Sequence, residues 1–178
     1  MEKINGFVRR ILGFATGMSM ALVFGIIFFN SLRRYVVGKS VPWGEELPIY
    51  LTIYGVMFGL ALAYMTDSHI RFTILIDFLS ARAKQMLFLA SDVLTCVSGI
   101  ALAYAGHAFA LRRGSVDASG LKSLADGWAA STGIDALVWI GKIGTYQYAM
   151  AIGGVLLAVA GALKLAERAQ ALRTGAEG

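Results

Sequence analysis

A chain of 178 residues that is 57% hydrophobic and only 15% charged, with mean hydropathy +0.67, is too apolar for a soluble domain, where ~45–50% apolar and ~25% charged is usual. The net charge of +5 and pI near 9.5 do not point to nucleic acid, because the 16 Lys and Arg residues are scattered between long apolar runs rather than gathered on one segment. One cysteine, Cys96, and two histidines, His69 and His107, exclude an internal disulfide and supply metal chemistry poorly.

The first predicted element lies between Arg10 and Arg33, where residues 11–32 contain no Asp, Glu, Lys or Arg. Twenty-two helical residues reach ~33 Å, enough for a hydrocarbon core of ~30 Å. The run is too long for the h-region of a cleaved leader, and Arg33-Arg34 offer no small-residue cleavage site, so it is read as a retained span. Gly13, Gly17, Ala21 and Gly25 recur on it at four-residue spacing, the pattern of a face on which helices approach closely.

The second span, residues 47–66, opens on Val41-Pro42-Trp43-Gly44-Glu45-Glu46-Leu47-Pro48 and carries its own small-residue row of Gly55, Gly59 and Ala63. Pro48 suits a first helical turn, and Glu45 and Glu46 complement the positive helix end. An adjacent acid pair at a membrane surface also suits pairing with Arg33 and Arg34, or docking of a basic group on a partner. Residues 67–85 are too polar to span but place Ile70, Ile74 and Phe78 on one helical row, which predicts a short amphipathic helix in the interface. The third span, residues 86–111, is interrupted only by Asp92. Residues 112–142 are mixed in character and are expected on the membrane surface. The fourth span, residues 143–163, repeats the packing row as Gly154, Ala158 and Ala162.

These elements predict an all-α integral membrane protein: one transmembrane domain over residues 1–178, with four spans plus short interfacial amphipathic helices. Four spans put both termini on one side. Nine Lys and Arg residues flank the spans on that side and seven on the other, which favours cytoplasmic termini. Trp43, Tyr50, Trp139, Tyr146 and Tyr148 fall where spans meet water, as expected of interfacial aromatics.

Little here can carry catalysis. Asp92 is the one ionisable residue inside a span, a functional candidate by default. It lies about two helical turns from Lys84, so snorkelling, or pairing with a residue such as Arg71 or Lys84, accounts for it structurally; ion coupling and contact with a partner helix are the other readings. His107 and His69 do not form the facing pair within the bilayer that a haem needs. No phosphate-binding loop, nucleophile elbow or zinc-protease motif occurs. Neither an enzyme nor a cofactor is expected.

Trp43-x-Glu45-Glu46-Leu47 at the head of the second of four spans, followed by Gly59, Ala61 and Ala63 and an Asp67-x-His69-Ile70 cluster at its end, resembles the small membrane subunit, the DctQ or Q-type component, of tripartite ATP-independent periplasmic (TRAP) transporters. The specific part of the resemblance runs from Trp43 to Asp77. It departs from the family at Thr73, where an acid is common; the nearest acid is Asp77. The resemblance implies a scaffold subunit in the bacterial inner membrane that binds no substrate itself and holds a large M-type transport subunit. That subunit would import an organic anion by symport, delivered by a periplasmic substrate-binding protein. It also makes Trp43, Glu45, Glu46, Arg33, Arg34, Asp67 and His69 candidates for partner contact. The rival readings are the small subunit of a tripartite tricarboxylate transporter and a haem-bearing membrane anchor of a redox enzyme.

Overall fold

The computed structural model describes residues 2–67 and 79–174. These form helices α1 (Glu2–Val37), α2 (Trp43–Met65), α3 (Ala81–Arg112), α4 (Ser119–Thr132) and α5 (Ile143–Thr174), with a 3₁₀ helix over Asp135–Gly141 between the last two. Four of them, α1, α2, α3 and α5, are long and apolar enough to cross a bilayer. Residues 11–32, 86–111 and 143–163 fall inside α1, α3 and α5, which run well past these apolar limits, whereas α2 ends at Met65, one residue short of the 47–66 run. The 36 residues of α1 reach ~54 Å at 1.5 Å per residue. Charged residues mark where hydrocarbon ends, yet Arg, Lys, Glu and Ala are good helix formers, so the helix continues into the headgroups and water.

The expected interfacial helix over 67–85 needs correction at its end. Residues 68–78 lie outside the described residues, whereas 81–85 form the first turns of α3. Ser80 sets that boundary: its Oγ accepts a hydrogen bond from the Ala83 N–H at 3.4 Å, an N-cap. The surface segment 112–142 forms α4 and the 3₁₀ helix, and α4 buries Gly120, Leu121 and Ala125.

The principal helix contacts join α1 to α2, α2 to α5, and α5 to α3. The spans therefore stand in a row, α1–α2–α5–α3, rather than in a closed ring, and a row leaves two broad faces. Those faces are apolar: Phe14, Phe24 and Phe28 on α1 and Leu94, Ile100 and Tyr104 on α3 are all exposed on this chain.

Small residues decide the spacing, though not all of those the sequence suggested. A Cβ on Gly55 would strike the Met20 side chain and Ser19, one on Gly59 would touch Thr16, and one on Gly13 would touch Leu62. These three pack α1 on α2. Gly17 and Gly25 do not: nothing among the described residues comes within 4 Å of a Cβ there, because α1 meets α2 through Thr16 and Ser19 instead. Gly154 packs tightest, with the backbone of Gly99 and Ala103 against it, and Gly99 and Gly106 of α3 meet Ala158 and Ala151 of α5 in the same manner.

Candidate functional site

The head of α2 is built by short-range bonds. α1 ends at Gly38, whose positive φ of 74° is open to glycine without steric cost; its N–H bonds the Arg34 carbonyl at 3.0 Å. The buried Asn30 then accepts the Val41 N–H at 2.8 Å through Oδ1, turning the chain into α2. Gly44 lies against that Asn30 side chain, where a Cβ would come within 2.9 Å of Cγ.

The two adjacent acids of the motif do different things. Glu46 is used internally: Oε2 accepts the backbone N–H of Gly120 at 2.7 Å, and Oε1 accepts the Tyr50 hydroxyl at 2.9 Å. Gly120 sits in the first turn of α4, so Glu46 supplies the acceptor that an orphan helix-terminal N–H requires. Trp43 and Leu47 pack beside it on a core of Ala118, Leu121 and Tyr146, and the Tyr50 and Tyr146 rings stack at 4.2 Å. Trp43 and Glu46 thus fasten α4 over the ends of α2 and α5. Glu45 is exposed and, among the described residues, takes the Ser40 hydroxyl at 2.7 Å.

Neither arginine expected to pair with these acids does so among the described residues. Arg33 donates to the Lys39 carbonyl at 3.3 Å. Arg34 lines a groove of about 490 Å³ between α1 and α2, together with Ile27, Asn30, Glu45, Ile49 and Thr52. Glu45, Ile49, Thr52 and Val56 share one helical row, and Ile49 is 61% exposed, so the groove opens on a face of the helix row.

At the other end of the spans lies an ion cluster whose partners the sequence did not reveal. Asp92 is 0% exposed. Its carboxylate accepts Arg168 Nη1 at 2.8 and 2.9 Å and the Tyr64 hydroxyl at 2.5 Å. Arg168 also reaches Asp67 at 3.2 Å and the Phe88 carbonyl at 3.2 Å, with its guanidinium over the Phe88 ring. Lys164 pairs with Asp67 at 2.5 Å. Asp92 is therefore paired with an arginine of α5, beyond the last apolar run; Arg71 lies outside the described residues. Asp67, placed with the partner-contact candidates, is bound by α5 and takes a positive φ of 55°, which Asp tolerates better than most residues. His69 lies outside the described residues. His107 stands beside Tyr148, ring centroids 5.9 Å apart.

A third cluster pins the surface segment. Asp117 accepts Lys122 and Lys142, each at 2.5 Å. These hydrogen bonds, Lys122 first and then Lys142, hold its carboxyl down to about 2, and the same bond raises Lys122. A depressed acid stabilises the fold above its ordinary value of 3.8 and loses that contribution as pH falls through the folded value. The intrinsic fluorescence of Trp139 should accordingly stay flat from pH 7 to about 4 and change between about 4 and 2; a change centred above pH 5 would contradict the pairing.

With the geometry in place, the class is that of a multi-pass membrane protein whose surface helix is fastened to the ends of its spans. Residues 23–171 match the family described as "Tripartite ATP-independent periplasmic transporters, DctQ component", and the chain belongs to that family, one of transporter subunits. It is 25% identical over 112 residues, 63% of this chain, to the sialic acid TRAP transporter small permease protein SiaQ of Vibrio cholerae. It is 22% identical over 102 residues, 57% of this chain, to a Haemophilus influenzae protein provisionally named a TRAP transporter small permease protein. The aligned stretches cover 65% and 62% of those relatives' own lengths.

Proposed function

We propose that this chain is the scaffold subunit of a TRAP-type secondary transporter: it sits in the bacterial inner membrane with both termini cytoplasmic and holds a large M-type membrane subunit. That larger subunit carries an organic anion delivered by a periplasmic binding protein. The observation that carries this reading is the open groove in which Arg34 and Glu45 lie between α1 and α2. Charged and polar groups at a lipid-facing edge are unfavourable unless something pairs with them, and among the described residues Arg34 has no ion-pair partner. The small-residue row of Gly17 and Gly25, which nothing among the described residues fills, offers a second surface suited to a partner helix. The organic-anion substrate rests on the family and on the relative named for sialic acid.

The two glutamates separate assembly from folding. Changing Arg34 and Glu45 together to Gln should leave the isolated chain as stable as the wild type and sharply lower its co-purification with the large subunit. Uptake in reconstituted vesicles should fall in parallel. Glu46→Ala should instead lower the stability of the isolated chain by about 1–3 kcal/mol, because it leaves the Gly120 N–H and the Tyr50 hydroxyl without their acceptor. Full assembly and full uptake by the Arg34→Gln/Glu45→Gln variant would remove the groove from the interface.

A further inference from the structure

The surface on which α3 ends and α5 begins carries a second groove, of about 500 Å³, that neither the transport role nor the family match uses. Its walls are apolar, with Leu111 from α3 and Val138 and Trp139 from the 3₁₀ helix. Leu111 and Trp139 stay 62% and 69% exposed, so the mouth is open at the depth where a tryptophan prefers to sit. The backbones at its floor are close, since a Cβ on Gly144 would come within 2.6 Å of Gly114 Cα. The far wall is held in place: the Thr145 hydroxyl donates to the Trp139 carbonyl at 2.6 Å and the Tyr146 hydroxyl to the Ile140 carbonyl at 2.6 Å.

Both signs of charge line this groove. Lys142 contributes an ammonium with three donors, of which Asp117 takes one at 2.5 Å and the Ser115 carbonyl lies at the edge of bonding range, 3.5 Å. Asp135 contributes a carboxylate that makes no hydrogen bond or ion pair among the described residues. A groove of this volume lies within the ~300–1,000 Å³ typical of small-molecule sites, and is a poor fit for a helix of ~10–12 Å diameter. An apolar groove at the end of two spanning helices, lined by a cation and by an acid with no partner among the described residues, complements one ligand chemistry.

We propose that this groove binds a single phospholipid whose head carries both a phosphate and a primary ammonium, the phosphate against Lys142 and the ammonium against Asp135, with an acyl chain along Leu111. A purely anionic head would meet the Asp135 carboxylate unfavourably. A quaternary ammonium would bring the charge without an N–H to donate. The inference requires only that α3 and α5 cross a bilayer, so it stands apart from the assembly reading.

The test is native mass spectrometry of the full chain, purified in detergent and offered equal amounts of phosphatidylethanolamine, phosphatidylglycerol and phosphatidylcholine. One ethanolamine lipid should be retained in preference to the other two. Asp135→Asn should cut that retention about tenfold, the lower end for a hydrogen bond to a charged group. Asp135→Lys, an exposed change on the 3₁₀ helix, should turn the preference toward the glycerol lipid with an unaltered elution profile. Equal retention of the three lipids, retention of none, or wild-type selectivity in both Asp135 variants would overturn the assignment and leave the groove for a partner's side chains.

Discussion

Replacing Asp92 by alanine is expected to destabilise the isolated chain by about 3–5 kcal/mol, the range found when one member of a buried ion pair is removed and the other is left behind. The carboxylate is wholly enclosed and takes three of its bonds from Arg168 and Tyr64, so alanine leaves a guanidinium and a phenol facing a cavity. Arg168 would retain Asp67 and the Phe88 carbonyl, which places the loss toward the lower part of that range. Asp92→Asn keeps the shape and the acceptor oxygen and should cost less, with uptake largely preserved once the complex assembles. The pair Asp92→Leu/Arg168→Met should recover much of the stability of either single change, because an apolar replacement of both members relieves the desolvation of each. Thermal unfolding of the wild type and these five variants in detergent reads all of this. A variant Asp92→Asn that assembles at wild-type yield yet transports nothing would show instead that the carboxylate takes part in coupling.

Much of this fold is legible because a bilayer imposes a simple rule on sequence. The limits of the apolar runs, Arg10 to Arg33 or Glu46 to Asp67, are set by the cost of burying charge, and that cost depends on one residue at a time. The four spans follow directly. The head of α2 was legible as a site but not as a division of labour. Glu45 and Glu46 look alike in sequence, and only the docking of α4 distinguishes the acid that accepts from Gly120 from the one left at the groove. Asp92 shows the opposite limit. Its partner lies 76 positions away, on a turn of α5 that hydropathy assigns to water, and no local periodicity connects them. The glycine row of α1 was legible only in part. Four-residue spacing marks Gly13, Gly17 and Gly25 alike, yet nothing among the described residues comes within 4 Å of a Cβ on Gly17 or Gly25, while Gly99, Ala103 and Gly106 on α3 meet the backbone of α5 closely. Spacing marks a row that permits approach; which neighbour takes it up is decided by the order of helices in the layer.

That order makes the glycines unequal, and substitution should expose it. Gly154→Ala places a methyl group against the Ala103 backbone, 2.7 Å from the Gly99 carbonyl oxygen and 2.8 Å from Ala103 Cα. These are backbone atoms, which cannot rotate aside as a flexible side chain can. α3 and α5 must separate along their whole contact, since Gly99 and Gly106 would each be similarly close, with backbone atoms 2.5 Å from a Cβ. Overpacking of this kind costs ~1–3 kcal/mol for a methyl group and more for a larger side chain. Gly154→Leu should therefore prevent recovery of folded protein. Gly25→Ala has nothing among the described residues within 4 Å to strike and exchanges glycine for a better helix former, worth up to ~1 kcal/mol in favourable cases. The isolated chain should therefore keep or gain thermal stability. Gly25→Leu should also leave the isolated chain folded but weaken its co-purification with the large subunit, because its bulk fills a row that the described residues leave open. Equal destabilisation by Gly25→Ala and Gly154→Ala would mean that the α3–α5 contact is not the one that fixes the layer. Normal assembly by Gly25→Leu would remove the outward row of α1 from the partner surface.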